Sequence, residues 1–520
     1  MNIPKFLIMM VITLSGSQTL SAQQLKAGDE FTDKSKEGIE MVFTVLDARD
    51  KTCQVGVITN LEQEKYAGAS TTFVNGCIGK LTIPSYAKGY KVVKIGQQVF
   101  LGANDMTSIY IPYTVTELGF QDEAFYGQLN DFAYCPNLMT IEVDPNNPVY
   151  SSMNSNVIVD KRTKTLVVGC RESSIPEGVE SIAPVAFYNT NIIYANFPST
   201  LKEIGESAFS SCSKLVSVRF NEGLKKIGVQ AFWYCEKFHS PLFPSTLEEI
   251  GKYAFYDCSS LTVMKCKMNP PFALNDRAFD KNIYQRGQIN VPDAALEKYM
   301  TTDGWKNFTM FYGYLPAEEN NTFICEYADQ TVGSTSQMLY IQATTKLITG
   351  SFEIPETVSH NGKVATVVGI GDGAFSGQIY LEGIMIPRSI VSISNNAFIG
   401  CVGLKNVRVG WNIPLDIKAK KERTRGDEDE TEEFLEGINK DSCILYVPDE
   451  SLELYKQADG WKEFKNIQPE SGYAGIRQAQ TRIKDSSVYN LLGRKMRSKS
   501  GSLDDLPKGA YIINGKKIIK

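Results

Sequence analysis

The sequence has little of what most enzymes and nucleic-acid-binding proteins need. Only two of its 520 residues are histidine, His239 and His360, whereas most zinc sites and Ser-His-Asp triads depend on histidine. The net charge of −5 disfavours a nucleic-acid-binding face, which must neutralise phosphates. Beyond the N-terminus, no apolar run approaches the roughly 20 residues that span a bilayer. We therefore expect neither a nucleic-acid partner nor a membrane span.

The motifs of common catalytic and cofactor sites are also missing. The sequence contains no P-loop, no H-E-x-x-H zinc motif and no G-x-S-x-G nucleophile elbow. A G-x-G-x-x-A match at 369–374 falls inside a repeated I-G-x-x-A-F segment, and we interpret it as part of that repeat. Asp144–Pro148 lacks the alternating acidic ligands of a calcium loop and is interpreted as a turn. We predict that the protein is not an enzyme and has no catalytic residue, cofactor or metal ion.

The N-terminus has the pattern of a secretory signal peptide. Lys5 precedes the apolar run 6–14, and small and polar residues follow as far as Ala22. The run is too short to cross a bilayer as a helix, and the order of basic, apolar and small residues is typical of a cleaved signal. We predict export and a secreted or cell-surface protein attached to the outer membrane. A buried N-terminal strand is the alternative.

A repeat of about 23 residues is the main feature of the sequence. Segments 204–212, 227–235 and 250–258 align without gaps, and each of them reads I-G-x-x-A-F-x-x-C. An L-x-x-V-x-F core, as at 215–220, predicts a short strand before the I-G-x-x-A-F-x-x-C segment. A period of 20 to 29 residues with such a strand is typical of a leucine-rich solenoid. The predicted fold class is therefore a β-rich repeat solenoid with a parallel strand ladder and short turns or helices.

Stacking is necessary because one coil buries too few apolar side chains to offset the conformational entropy of ordering it. Neighbouring coils share a core and pair their strands, so each coil is stabilised by the next. This interpretation predicts that Phe209, Phe232 and Phe255 lie in one column.

The cysteines follow the repeat. Their number is eleven, which is odd, so at least one has no disulfide partner within the chain. Cys212, Cys235 and Cys258 would lie one strand spacing apart, about 4.7–4.9 Å, whereas a disulfide holds its Cβ atoms near about 3.8 Å. We interpret these cysteines as small buried apolar residues, with disulfides and a metal ladder as the alternatives.

The repeat resembles the BspA-like class of bacterial surface leucine-rich repeats. The I-G-x-x-A-F-x-x-C segments carry the likeness, together with I-P or F-P strand ends such as 197–198 and 243–244. It covers roughly residues 80–310 and 350–467, and residues 144–170 interrupt its register. The resemblance implies adhesion or recognition through the solenoid surface, with a protein or glycan of a host or neighbouring cell as partner. A glycan-processing or uptake component and a structural coat protein are the alternatives.

Two similar modules follow one another along the chain. Residues 288–308 and 444–464 share a strand ending in Val-Pro, a helix containing Tyr and a Gly-Trp-Lys sequence. We interpret them as caps over open solenoid ends. The predicted units are a signal peptide (1–22), a β-rich N-terminal segment (23–79), the first repeat module with its cap (80–315), a second β-rich segment (316–350), the second repeat module with a charged insert at 418–436 and a cap (351–467), and a small C-terminal β unit (468–520).

The C-terminal unit has the signs of a β-hairpin. Asn514-Gly515 lies between two apolar runs and favours a type I′ turn. The order of segments 488–496 and 506–520 resembles a short form of the sorting domains of type IX secretion. That resemblance implies contact with the secretion machinery. A plain hairpin that closes the chain is the alternative.

Polar side chains on the strand face are the predicted binding residues. A regular surface of mixed polar groups suits contact with a macromolecule. The charged insert adds an Arg-Gly-Asp tripeptide, by which many matrix proteins engage integrins, and an exposed loop is where such a motif could act. The candidate binding residues are Tyr194, Asn196, Ser217, Arg219, Asn221, Lys265 and Lys267 on the strands, and Arg425, Gly426 and Asp427 in the insert.

Overall fold

A computed structural model describes most of the repeat region. The described residues are 25–57, 77–96, 99–100, 103–119, 132, 135–314, 323–327, 338–360, 363–394, 396–416, 435, 437–473, 488–490, 510–513 and 516–519. The predicted signal peptide, nearly all of the charged insert and its Arg-Gly-Asp tripeptide lie outside them. Within these ranges, no helix is both long and apolar enough to cross a membrane.

A β-rich segment opens the described chain and continues directly into parallel ladders. Its strands are β1 (Glu30–Lys34), β2 (Glu40–Asp47), β3 (Thr52–Val55), β4 (Gly79–Thr82), β5 (Tyr86–Ala87), β6 (Tyr90–Ile95), β7 (Met106–Ile111), β8 (Glu117–Leu118) and β9 (Thr140–Val143). β1, β2 and β3 pair antiparallel, after which β3 pairs in parallel with β6, and β6 with β8. A separate parallel ladder has the order β4-β7-β9.

Residues 144–170 interrupt the repeat as an antiparallel excursion. Its strands are β10 (Tyr150–Ser151), β11 (Val157–Asp160) and β12 (Thr165–Gly169), which pair in that order. Asp144–Pro148 forms a turn, as expected from its composition: the carboxylate of Asp144 accepts a hydrogen bond from the amide of Asn146 at 2.8 Å. β12 then begins the parallel ladder of the next coils.

The coils of the first module build three parallel ladders around one core. The strands are β13 (Ser181–Ile182), β14 (Tyr194–Asn196), β15 (Glu203–Ile204), β16 (Ser217–Arg219), β17 (Lys226–Ile227), β18 (Leu242–Phe243), β19 (Glu249–Ile250) and β20 (Val263–Cys266). One ladder has the order β12-β13-β15-β17-β19, with Ile204, Ile227 and Ile250 in register. The strands at the positions equivalent to the L-x-x-V-x-F core of 215–220 pair separately, β14 with β16 and β18 with β20.

A column of phenylalanine rings runs through the core of these coils. The rings of Phe187, Phe209, Phe232, Phe255 and Phe279 stack in sequence, with centroid separations of 4.7, 5.2, 5.2 and 5.3 Å. The predicted solenoid and its aligned phenylalanines are therefore confirmed.

The glycine of each I-G segment is required by the close approach of neighbouring coils. A Cβ atom added to Gly228 would lie 2.7 Å from the carbonyl carbon of Gly205, and one added to Gly251 would lie 2.6 Å from that of Gly228. Real Cβ atoms do not come so near to a backbone that cannot move aside. The glycines thus set how closely the coils stack.

The cysteines form a second ladder beside the phenylalanines. The thiols of Cys212, Cys235 and Cys258 donate to the phenylalanine carbonyl of the preceding coil, at 3.0, 3.2 and 3.2 Å. All eleven cysteines fall within the described residues and are buried thiols. The interpretation as buried apolar residues is confirmed, with one addition. The thiol also satisfies a buried carbonyl oxygen, which a methyl group could not do.

We expect these thiols to be unreactive in the folded protein. Burial raises the pKa of the Cys212 thiol to about 12, and the thiolate is the reactive form. Iodoacetamide at neutral pH should therefore leave the native chain unlabelled, whereas all eleven thiols should react in denaturant, as counted by mass spectrometry. Native labelling of Cys235 or Cys258 would contradict the buried ladder.

A cap closes the first module. It contains α1 (Lys281–Arg286), β21 (Gln288–Pro292), the 3-10 turn Asp293–Ala295, α2 (Leu296–Thr301), the 3-10 turn Trp305–Asn307 and β22 (Met310–Tyr314). The hydroxyl of Tyr299 donates to the carbonyl oxygen of Met268 at 3.1 Å, and the indole of Trp305 donates to that of Phe272 at 2.9 Å. These aromatic residues are fully buried, so the cap closes the core and satisfies backbone carbonyls at the end of the ladder.

The second module repeats this architecture with fewer coils. Its elements are β23 (Phe323–Tyr327), β24 (Met338–Thr344), β25 (Gly350–Glu353), β26 (Thr357–His360), β27 (Lys363–Ile370), β28 (Leu381–Ile386), β29 (Ser392–Ile393), β30 (Asn406–Val409), β31 (Ile444–Val447), the 3-10 turn Asp449–Ser451, α3 (Leu452–Gln457), the 3-10 turn Trp461–Glu463 and β32 (Asn466–Pro469). The parallel ladder β25-β28-β30-β31-β32 ends in the cap. Phe375 and Phe398 stack at 5.3 Å.

The C-terminal unit is a small antiparallel sheet. Its strands are β33 (Val488–Asn490), β34 (Ala510–Ile513) and β35 (Lys516–Ile519), paired in that order. Asn514-Gly515, between β34 and β35, lies outside the described residues. The resemblance to a sorting domain stays a prediction.

Candidate functional site

The second module covers part of the strand face that was predicted to bind a partner. The hydroxyl groups of Ser217 and Ser376 share a hydrogen bond. Gly377 lies over the same strands, since a Cβ added there would be 3.6 Å from Oδ1 of Asn196 and 3.7 Å from Cβ of Arg219. We call this contact, between strands β14, β16, β18 and β20 and residues 372–377 with Gly400, the joint.

Further polar contacts extend the joint along the strand face. The ammonium group of Lys265 donates to the carbonyl oxygen of Asp372. The carboxylate of Asp372 accepts from the hydroxyl of Ser240 and from the side-chain amide of Asn396, the latter at 3.0 Å. Gly400 packs on the ring of Tyr194, where an added Cβ would lie 3.1 Å from ring atoms.

Ionisable groups are buried at the edge of this joint. Burial lowers the pKa of Lys265 to about 8 and raises the pKa of Glu326 to about 7. The carboxylate of Glu326 accepts hydrogen bonds from Gln342 at 2.6 Å and from Asn290 at 3.2 Å. These contacts link the first cap to the opening hairpin of the second module.

The joint thus brings together Tyr194, Asn196, Ser217, Arg219 and Lys265. Asn221 and Lys267 are half-buried beside it, and Lys267 forms an ion pair of 2.9 Å with Glu222. Arg425, Gly426 and Asp427 lie outside the described residues. The binding role of all these residues stays a prediction, and a partner that reached the strand face would have to displace the second module.

A cavity of about 50 Å³ remains inside the joint. It is lined from both modules. The polar lining residues are Arg219, Asn221, Glu222, Ser240, Lys265, Lys267, Thr344, Thr345 and Ser376.

A second surface lies on the turn side of the first module, where sequence analysis placed no candidate. Trp233, Tyr234, Tyr253 and Tyr256 lie there on adjacent coils, and we call them the aromatic edge. The rings of Trp233 and Tyr234 meet at 5.5 Å and those of Tyr253 and Tyr256 at 5.3 Å, in both cases edge to face. The ring of Tyr234 is 45% exposed, and the other three are half-buried.

An open cleft of about 590 Å³ adjoins the aromatic edge. Arg277 orients the ring of Tyr253, which lines the cleft, because its guanidinium donates to the hydroxyl oxygen of that tyrosine at 3.2 Å. The same hydrogen bond lowers the pKa of Tyr253. The ammonium group of Lys252 lies 4.7 Å from the centroid of the same ring. The cleft therefore combines aromatic surface with charged and amide groups. Its lining residues are Tyr253, Tyr256, Asp276, Arg277, Phe279, Lys281, Tyr284, Gln285 and Asn307.

No group of three or more histidine, cysteine or acidic side chains that could hold a metal ion occurs in the described part of the chain.

Comparison with protein families identifies the repeat. The model of the BspA-type leucine-rich repeat region matches in six copies, over residues 69–143, 169–294 and 351–415. These segments make up just over half of the chain. The chain belongs to the BspA-type leucine-rich repeat family.

Several solved structures of leucine-rich repeat proteins are similar to this BspA-type chain. One is from Bacteroides ovatus, with 19% identity over 75% of this chain and 72% of that one and a TM-score of 0.26. Another, from T. pallidum, has 19% identity, covers 49% and 88% of the two chains and gives a TM-score of 0.24. A leucine-rich cell surface protein from Faecalibacterium prausnitzii has 19% identity over 87% and 98%, with a TM-score of 0.22. No curated protein matches the sequence.

The aromatic edge could have been found by comparing BspA-type coils position by position. Trp233 and Tyr256 follow the column phenylalanine directly, where the preceding coil has Ser210. Large aromatic side chains at turn positions do not serve the core, so they are a signal for a surface role. The periodic pattern that defines the repeat does not include these positions, and sequence analysis therefore passed over them.

Proposed function

We propose that the protein is a non-catalytic recognition or adhesion protein of the bacterial surface, and that the aromatic edge with its cleft binds glycan. The single observation that supports this is the open cleft of about 590 Å³ beside clustered tyrosines. Ligand sites are typically concave, of roughly 300–1,000 Å³, and combine aromatic surface with a few polar groups.

Sugar rings suit this combination of groups. Their C–H faces pack on aromatic rings, and their hydroxyl groups exchange hydrogen bonds with carboxylate, guanidinium and amide side chains. Asp276, Arg277 and Gln285 supply these groups within the same cleft. The side chain of Tyr253 is already oriented by Arg277, so that ring loses little freedom when a ligand binds.

Replacing Tyr256 by alanine is expected to weaken glycan binding about two- to tenfold, because an aromatic contact contributes about 0.5–1.5 kcal/mol beyond its buried area. A glycan array probed with the wild-type chain would identify the ligand, and calorimetry with that glycan would give both affinities. Tyr86→Ala is the matched control, since Tyr86 is 54% exposed and lies outside the cleft.

Equal affinity of Tyr256→Ala and the wild type would rule out the aromatic edge as the glycan site. A chain that binds no glycan but binds a matrix protein through Tyr256 would instead be a protein-binding adhesin. Tyrosine, tryptophan and arginine also dominate protein–protein hot spots, so both arrays are needed.

Export would bring this surface to its ligand. In this proposal residues 1–22 direct translocation and the C-terminal β unit contacts the secretion machinery. We expect antibody against the repeat region to label intact cells and the mature chain to begin after Ala22, as determined by N-terminal sequencing. Retention of residues 1–22 in a protein confined to the cell interior would contradict the proposed location.

A further inference from the structure

The guanidinium group of Arg219 has an unusual environment for a cation. It lines the cavity inside the joint, its Nε atom is enclosed, and that atom makes no hydrogen bond to any described residue. Burial alone lowers the pKa of Arg219 to about 10, with no acidic group acting against it. The residue as a whole is half-buried, and its enclosed part holds a charge away from bulk water without a counter-charge, which is unfavourable, so a partner would stabilise this arginine.

The other charged groups around the cavity are already engaged. Lys267 is paired with Glu222 at 2.9 Å, which neutralises both. Lys265 donates to the carbonyl oxygen of Asp372 and interacts with the charges of Asp372 and Glu326. Among the described residues that line the cavity, Arg219 is therefore the charged group without an acidic side chain that compensates its charge.

Hydrogen-bond donors other than charged groups also face this space. Ser376 lines the cavity and shares one hydrogen bond with Ser217 beside it, so the two hydroxyl groups have one further proton, which Ser376 can donate when it accepts from Ser217. Asn196 pairs with Arg219 in the strand register, and its Oδ1 atom is likewise enclosed without a hydrogen bond to a described residue. Asn196 does not line the cavity itself.

The volume of the cavity limits the size of a ligand. A single water molecule needs roughly 10–15 Å³ of cavity volume. The cavity of about 50 Å³ therefore has room for one small polyatomic group. A carboxylate or a tetrahedral oxyanion has that size, and both match the planar guanidinium through paired hydrogen bonds.

We propose that the cavity in the joint binds a small oxyanion, with the guanidinium of Arg219 as its charge partner and the hydroxyl group of Ser376 as a further donor. Because these groups come from both modules, the bound oxyanion holds the second module on the strand face of the first. This site is separate from the aromatic edge and does not depend on the glycan proposal.

The experiment measures thermal unfolding and calorimetric binding of the full chain with potassium phosphate, sulfate or acetate, at an ionic strength held constant with potassium chloride. A ligand that binds the folded state raises the unfolding temperature as its concentration increases. We expect such a rise with at least one of the tetrahedral or carboxylate anions and none with chloride. The two classes of anion distinguish a phosphate-type ligand from a carboxylate-type ligand.

Two variants test the role of Arg219. Arg219→Gln is expected to weaken oxyanion binding at least tenfold, whereas Arg388→Gln, in which an 81% exposed arginine is changed, should bind as the wild type does. Asn196→Asp supplies a carboxylate from the neighbouring strand, so this variant should be more stable than the wild type without anion and should lose the response to anion.

No binding of any oxyanion to the wild type, equal binding by Arg219→Gln, or an effect of chloride equal to that of phosphate and acetate would each overturn the proposal. If Arg219→Gln fails to fold, Asn196→Asp and the wild-type titration decide the question. A more stable Asn196→Asp that still binds oxyanion with wild-type affinity would place the ion elsewhere.

Discussion

Replacing Phe232 by alanine is expected to lower the free energy of unfolding by about 3–5 kcal/mol, the usual range when a buried phenylalanine is truncated. The side chain is fully buried, and its ring stacks on Phe209 and Phe255 at 5.2 Å on either side. It also contacts the rings of Phe220 and Phe238. The substitution therefore removes one ring from the middle of the column and leaves space that neighbouring coils fill only in part.

The loss should extend beyond the coil that carries the substitution, because each coil is stabilised mainly by its neighbours. Urea unfolding would give the change in free energy, and hydrogen exchange would show faster opening in the coils of Phe209 and Phe255. Tyr234→Ala is the control, since this neighbouring ring is 45% exposed and should change stability little. If faster exchange were confined to residues beside position 232, the coils would not be coupled as the structure indicates.

Replacing Trp461 by alanine should destabilise the second module by about 3–5 kcal/mol. The indole is fully buried, donates to the carbonyl oxygen of Leu415 at 2.9 Å and packs against Tyr455 and Phe464. Tyr455 in turn donates to the carbonyl oxygen of Trp411 at 2.9 Å. Without the indole, the end of the core is open to water and a backbone carbonyl loses its donor.

The loss of stability in Trp461→Ala should affect the second module first, because the first module has its own cap around Trp305. Limited proteolysis would show earlier cleavage after residue 350 in Trp461→Ala, while the fragment that contains the phenylalanine column persists. Leu454→Ala, on the exposed side of α3, is the control, since its side chain is 51% exposed. Simultaneous loss of both modules in Trp461→Ala would mean that they unfold as one unit.

The coils could be predicted because the apolar residues of the sequence recur with a regular period. Ile, Ala, Phe and Cys recur at fixed spacing, and only stacked coils can bury all of them, so the column of Phe209, Phe232 and Phe255 followed from the sequence. The role of the cysteines was predicted in part. Spacing disfavoured disulfides without excluding them, and the hydrogen bond from each thiol to a phenylalanine carbonyl depends on side-chain direction, which the repeat pattern does not specify.

The joint could not be predicted in the same way. Ser217 and Arg219 alternate outward on a strand, a pattern that is the same whether water or protein covers the face. The contact depends on residues such as Asp372 and Gly377, more than a hundred positions away, and on the orientation of the second module. No local sequence signal encodes that orientation, so the face was predicted to be open.

The contact between Gly228 and Gly251 also bears on how such a chain can change length in evolution. Similar glycine contacts join the coils of Gly205, Gly228 and Gly251, so the backbone stacking alone would allow one whole coil to be duplicated or lost there. The coils between β14 and β20, which include these glycines, meet a second condition, because residues 372–377 make specific contacts across several of their strands. An added coil there would shift Lys265 away from Asp372 by one strand spacing. Duplications should therefore accumulate outside this stretch, where the chain can lengthen without realigning its two modules.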